Sequence, residues 1–225
     1  MGFGLALVVV PPLLMVLPAT TVVPTIVLLS LLNTSAMTWH LRADVHKDLI
    51  LPLVFGAMVG LPPGIYLLTT LDGPGFKAGV GIFILIFSGV LLSGWRRPLG
   101  NPRWALYPVG FLGGFLNGSI SISGPPVILF LTNQGTPKDT FRANMAGYFA
   151  LSGALATAGF AIAGVLMREV LLYAATIVPA ALIGTYLGVK LSTRVSQETF
   201  RRLTLLCVIV MGLVLFLRSL AETLG

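Results

Sequence analysis

The 225-residue chain is 56% hydrophobic and only 9% charged, with a mean hydropathy of +0.97 and a formal charge of +7. A soluble domain carries about 25% charged residues, so a soluble enzyme and a disordered tail are both excluded. The basic residues lie between long apolar runs, which reads as loop-charge bias in a membrane protein and not as a nucleic-acid-binding surface.

A membrane-spanning helix needs about 20 apolar residues. The first apolar stretch, 3–17, is too short to cross and carries Pro11-Pro12. No basic region follows Met1, so no cleaved signal peptide is expected. Three stretches of spanning length come next, at 21–41, 49–71 and 76–94. The stretch 104–133 is too long for one straight helix. Its centre, Gly118-Ser-Ile-Ser-Ile-Ser-Gly-Pro-Pro126, is dense enough in glycine and proline to break one. Spans follow at 141–167, 170–191 and 200–218. The single cysteine, Cys207, lies inside the last span, which excludes an internal disulfide and makes it a small buried hydrophobe.

The chain repeats itself. Glycines spaced by four at Gly56, Gly60 and Gly64 recur at Gly184 and Gly188, an offset of 124 that also relates Phe76 to Phe200 and Lys77 to Arg201. Upstream, Pro11-Pro12 aligns with Pro125-Pro126 and Pro18 with Pro137. Residues 1–95 and 96–225 are therefore two repeats, each a broken stretch followed by three spans. The spaced glycines let helix backbones pack closely in lipid.

Charge decides how the broken stretches run. If each crosses, seven Lys and Arg fall on either side. If each enters and leaves on one side, Arg42, Lys47, Arg96, Arg97, Arg103, Lys138, Arg142, Lys190, Arg194, Arg201 and Arg202 share a side against Lys77, Arg168 and Arg218. The second count obeys the positive-inside rule. The expected fold is all-α: a polytopic bundle of two inverted repeats, each with three spans and a re-entrant hairpin, with eight spans in parallel repeats as the alternative. Inverted repeats with broken helices are a transporter pattern, with the site near the midplane.

Gly110-Phe-Leu-Gly-Gly-Phe-Leu-Asn-Gly118, Ile122-Ser-Gly-Pro-Pro-Val-Ile-Leu-Phe130 and Thr140-Phe-Arg-Ala-Asn144, in that order, resemble the TauE/SafE family, also called the toluene-sulfonate uptake permeases. Leu51-Pro-Leu53 and the glycines up to Gly64 fit its first repeat. The resemblance implies a bacterial inner-membrane carrier of sulfite or of sulfonated or carboxylated organic anions. It departs at two places. Met1-Gly-Phe-Gly4 begins in the middle of the unit with which family members start, so upstream codons are expected to encode a further glycine-rich arm. Ser121-Ile-Ser-Gly124 stands where many relatives carry three glycines.

No Asp, Glu, Lys or Arg falls near the middle of a span. An anion must then be held by half-helix N-termini and neutral donors. Ser121 and Ser123 offer hydroxyls, Gly124 lets backbone approach a ligand, and Pro125 or Pro126 starts the next helix. The alternative is a tight turn whose serines only cap that helix. Asn33 and Asn117 could each donate to an oxyanion or bridge helices. Arg142, with Asn144 in the same first turn of a span, either steers or touches the anion, or snorkels at the interface; its counterpart in the first repeat is Val23. His40, Asp44, His46 and Asp48 read as a solvated loop and not as a metal site, with proton linkage through His40 as a weaker reading.

No cofactor is implied, and the coupling ion is left open. The expected partners are a small anion and the lipid bilayer, without nucleic acid; a homo-oligomer is compatible with the sequence. An anion channel is the first alternative. An intramembrane serine protease is the second, weakened because the Gly-x-Ser-Gly pattern lacks its leading glycine at Ser121-Ile-Ser123-Gly124. The charge count generates a test. Single cysteines at Gly100 and Gly135 should label from the same, cytoplasmic, side of the membrane; labelling from opposite sides restores eight crossings.

Overall fold

The computed structural model describes residues 2–71, 73–93 and 103–179, together with 206, 209–210, 212–214, 216–217 and 219–221. Among these the regular structure is helical. The elements are α1 (Gly2–Leu14), α2 (Ala19–Leu41), a 3-10 turn (Arg42–Asp44), α3 (Lys47–Thr70), α4 (Pro74–Ser93), a second 3-10 turn (Arg103–Ala105), α5 (Leu106–Ile120), α6 (Gly124–Asn133) and α7 (Lys138–Ile162). A further helix covers 168–179. The predicted spans at 170–191 and 200–218 lie largely outside the described residues.

Among the described residues, three helices have the length and apolarity to cross a membrane: Ala19–Trp39, Lys47–Thr70 and Asp139–Ile162. Phe55, Met58, Val59 and Leu151 stand exposed on them, a surface suited to hydrocarbon and not to water. Trp39 and Trp104 are exposed near helix ends, and the Arg42 guanidinium lies 4.7 Å from the centroid of the Trp39 ring. Amphipathic rings at helix ends match the headgroup level of a bilayer.

Helix boundaries follow the prolines. Pro18 and Pro137 are the N-cap residues of α2 and α7, both extended, with φ/ψ of −65/150 and −54/146. These two prolines thus take the same place at the start of their helices. The pairing of Pro11-Pro12 with Pro125-Pro126 does not carry over. Pro11 and Pro12 lie inside α1, near its end, whereas Pro125 and Pro126 lie in the first turn of α6. Proline fits a first turn because the N–H it lacks has no partner there. It fits the last turn of a short helix only by giving up a backbone bond.

The tightest helix pair is α3 with α5. Gly56, Gly60 and Gly64 face the α5 backbone between Tyr107 and Phe115, while Gly110, Gly114 and Gly118 face the α3 backbone between Leu53 and Ile65. The register rises together on both helices, so α3 and α5 run parallel. A Cβ on Gly118 would come within 2.8 Å of the Leu61 carbonyl oxygen, closer than side chains tolerate. Two glycine stripes spaced by four thus mesh, as small-residue motifs do in lipid. α7 also runs parallel to α3: Gly147 neighbours Val45 and Ile50, and Gly159 neighbours Ile65.

This fixes the course of the broken stretch. α5 starts beside the start of α3, and α6 must end beside the start of α7, four residues on. Both ends of the α5–α6 hairpin therefore lie at one end of the bundle, together with Arg42, Lys47, Arg103, Lys138 and Arg142. Two apolar clusters flank its tip. Ile120 and Ile122 pack with Ile26, Leu68, Ile84 and Phe160, whereas Val127 and Phe130 pack with Leu53, Leu106, Met145 and Tyr148.

The meshing of glycines is testable. Gly60→Ala places a Cβ 2.9 Å from the Phe115 backbone nitrogen and should cost about 1–3 kcal/mol, as overpacking does. Gly79→Ala, where a Cβ meets nothing within 4 Å, should be neutral or stabilising by about 0.5–1 kcal/mol. Thermal unfolding of both variants in detergent checks the contrast, and equal midpoints would refute the meshed packing.

Candidate functional site

The hairpin tip is three residues long. α5 ends at Ile120, and Ser121 takes the left-handed conformation, with φ 55 and ψ 22. Its N–H donates to the Asn117 carbonyl at 3.1 Å, and the Ile122 N–H donates to the Leu116 carbonyl at 3.3 Å. These bonds satisfy carbonyls that the helix end would leave bare. Glycine normally fills such a position, and a side chain there costs about 1–2 kcal/mol. Ser123 then occupies the N-cap of α6, but its side chain makes no capping bond. The serines therefore do not merely cap the helix.

Ser121, Ser123, Gly124 and Asn117 line one cavity, with Ala6 from α1, Val27, Ser30 and Thr34 from α2, and Phe149 and Gly153 from α7. Val27 and Ser30 fall at the centre of the span Ala19–Trp39, and Phe149 and Gly153 flank the centre of Asp139–Ile162. The cavity thus lies midway along the spans. No lining residue is charged.

Its polar groups are hydroxyls and an amide, which can both donate and accept. The Ser121 hydroxyl is buried and has no hydrogen-bond partner among the described residues. An orphaned buried hydroxyl costs about 1–3 kcal/mol, and here it comes with a left-handed serine. Asn117 donates one amide hydrogen to the Ser152 carbonyl at 3.2 Å, tying α5 to α7; an amide nitrogen carries two. Thr34 donates to the Ser30 carbonyl at 2.7 Å. The N-terminus of α6 contributes less than four free N–H groups, because Pro125 and Pro126 have none. Its remaining donors are the Ser123 and Gly124 N–H groups.

Pro125 is buried behind the tip and sets the start of α6. The other candidates read from the sequence lie elsewhere. Asn144 is buried, and its Oδ1 accepts the His46 N–H at 2.8 Å, which fastens α7 to the start of α3. Arg142 is half-buried in α7 near the basic end of the bundle. Asn33 is half-buried on α2 and does not line the cavity. It sits about 100° round the helix from Thr34, which faces the site instead. Asp44, His46 and Asp48 are exposed around the α2–α3 connection. Sequence reasoning missed Ser30, Thr34, Phe149 and Gly153. The i, i+4 spacing of Ser30 and Thr34 near the centre of a span was the available signal.

Helices of spanning length around an uncharged, donor-lined break at mid-depth define a helical membrane transport protein. The comparison with known families is direct. The family model for the sulfite exporter TauE/SafE matches residues 1–215, and the chain belongs to that family. A protein of Cupriavidus necator described as a probable sulfite/organosulfonate exporter TauE is 24% identical over 230 residues, covering 98% of this chain and 88% of that protein. No solved structure matches the chain.

The geometry of the tip generates a separable outcome. Ser121→Gly relieves the left-handed serine and removes the orphaned hydroxyl. Thermal stability in detergent should stay level or rise, while retention of anionic ligands in a binding assay should fall about tenfold, the loss of one charge-assisted hydrogen bond. A drop in stability with unchanged ligand retention would make Ser121 purely structural.

Proposed function

We propose that the chain is a secondary carrier of a small anion, of the sulfite, organosulfonate or small carboxylate type, bound against the break between α5 and α6. The observation that carries this reading is the Ser121 hydroxyl: buried, without a partner, on a left-handed residue, in a cavity midway along the spans. A polar break at membrane depth must be buried in protein or line a water-filled cavity. An anion leaving water needs donors in compensation, and Ser121, Ser123, Asn117 and the first N–H groups of α6 converge to offer them. The lining holds hydroxyls and amides without a general base, which fits binding better than catalysis.

The hairpin is re-entrant in this reading, entering and leaving on the cytoplasmic side of a bacterial inner membrane. Arg42, Lys47, Arg103, Lys138 and Arg142 at its open end agree with the positive-inside rule. The repeats are inverted. α6 runs from the cavity at Gly124 to the basic end, and α7 crosses back. α1 runs from the cavity at Ala6 to the far end, and α2 crosses back. The two short arms thus point away from one site in opposite directions, as inverted repeats require. Arg142 lies off the cavity, so its role is to gather anions at the mouth, and Asn144 holds α7 in place.

Purified protein should be screened by thermal shift against sulfite, thiosulfate, sulfonates and small carboxylates, since a ligand of the native state raises its apparent stability. Ser123→Ala should weaken the binding of the best ligand at least tenfold. Gly124→Val should weaken it more, by pushing the anion off the backbone. Arg142→Gln should slow uptake at low salt and leave affinity unchanged, because steering is screened by ions. Unchanged affinity in both Ser123→Ala and Gly124→Val, with folding intact, would move the site elsewhere.

A further inference from the structure

Three buried polar residues follow one another along α7: Asn144, Tyr148 and Ser152, spaced by four. That spacing puts them on one face of the helix, and their neighbours on the buried side, Ala143, Met145, Ala146, Gly147 and Ala156, are apolar. The Asn144 Nδ2 and the Tyr148 hydroxyl are both buried without a hydrogen-bond partner among the described residues. Neither is explained by anion binding, because neither residue lines the cavity.

The two ends of this row are anchored. At the basic end, Asn144 Oδ1 accepts the His46 N–H at 2.8 Å, and His46 is exposed. At the cavity end, the Ser152 carbonyl accepts from Asn117, a lining residue. Between them, the Tyr148 hydroxyl presses against Gly113, where any Cβ would collide with it. The Ser123 carbonyl lies against the same point, 3.2 Å from where that Cβ would be. Tyr148 therefore bridges the level of Asn144 and the tip of the hairpin. A tyrosine on a helix leans toward its N-terminus, here toward Asn144.

We infer that Asn144, Tyr148 and Ser152 form a proton route between the His46 end of the bundle and the anion site, making a proton the coupling ion of the carrier. The inference rests on the carrier reading given above. Asn144 Nδ2 holds a water against the Tyr148 hydroxyl, as buried unpaired donors do. In each transfer that water takes a proton from solvent at the mouth as it gives one to the tyrosine oxygen, and the tyrosine releases its own to the anion in the cavity, so the water and Tyr148 are neutral before and after and the anion carries the proton. No oxidant or other reactant is needed. The buried cluster that holds Tyr148 is not ionisable: Leu53 and Ala57 from α3, Leu106 from α5, Val127 and Phe130 from α6, with Gly113 of α5 against its hydroxyl. Among the described residues, the charged and titratable groups at the mouth are Arg42, Asp44, His46, Lys47, Asp48, Arg103, Lys138, Asp139 and Arg142.

Tyr148→Phe is the deciding variant, because it keeps the ring and removes only an oxygen that has no partner in the protein. Purified carrier would be reconstituted in vesicles, with sulfite or the best ligand of the thermal-shift screen as probe. Three measurements are needed: ligand affinity, counterflow of labelled anion at equal pH on both sides, and anion flux driven by a pH gradient with internal pH followed by a dye. The route predicts that Tyr148→Phe keeps affinity and counterflow but loses at least tenfold of pH-driven flux and of the accompanying proton movement. Ser123→Ala should lose affinity in all three assays. Wild-type counterflow without proton movement overturns the route and leaves the carrier reading intact. Tyr148→Phe with normal pH-driven flux also overturns it, and so does a matching loss of affinity, which would make Tyr148 an anion ligand. Absence of wild-type binding and counterflow for every probe would overturn the carrier reading itself.

Discussion

Inside hydrocarbon a peptide group has no water to turn to, and the structure is organised around housing the one described stretch where the α5–α6 backbone leaves the helix. Ser121, Ile122 and Ser123 interrupt the chain at mid-depth. They are tolerated because helices enclose them on several sides, and because the Ser121 and Ile122 N–H groups bond back to the end of α5. An exposed break would leave such groups unpaired in lipid, at several kcal/mol each. Everything else follows from keeping that enclosure closed.

The enclosure depends on how closely backbones approach. Between apolar helices in lipid there is no hydrophobic drive, so dispersion and close contact must hold them. The meshed glycines of α3 and α5 answer this directly. They weld the incoming arm of the hairpin to a full span, and they set the depth at which the arm ends. α6, the outgoing arm, has no such stripe; it is held by Val127, Phe130 and Leu131 against Leu53, Met145 and Tyr148. One arm is thus bound backbone to backbone and the other by side chains alone.

Electrostatics explains why the site looks so plain. A cation in mid-span would bind an anion tightly but would cost about 2.5–3.5 kcal/mol to place there, and a carrier must also let its cargo go. Under the proposed carrier reading, neutral hydroxyls, one spare amide hydrogen and two helix N–H groups would give a weaker and reversible hold. The basic residues stay at the bundle end, where water solvates them. The proline pair of α6 removes two backbone donors from the same place, which in that reading leaves more of the recognition to Ser121 and Ser123.

Much of this was legible in the residues. Spanning length, the break at 118–126 and the closeness implied by Gly56, Gly60 and Gly64 are local or periodic properties, and such properties survive folding unchanged. The resemblance to the TauE/SafE family rests on the same short motifs. What the tertiary structure decided was partnership. Ser30 and Thr34, not Asn33, face the cavity, because a turn of about 100° per residue separates neighbours that look alike in sequence. Asn144 accepts the His46 backbone N–H, and Pro11-Pro12 takes a different place in its helix from Pro125-Pro126. Tyr148 gave no signal at all, since a tyrosine in an apolar run reads as core until its hydroxyl is found without a partner. Composition and spacing determine which segments cross and where they break; which polar group meets which depends on helix rotation and register, set by packing between segments far apart in the chain.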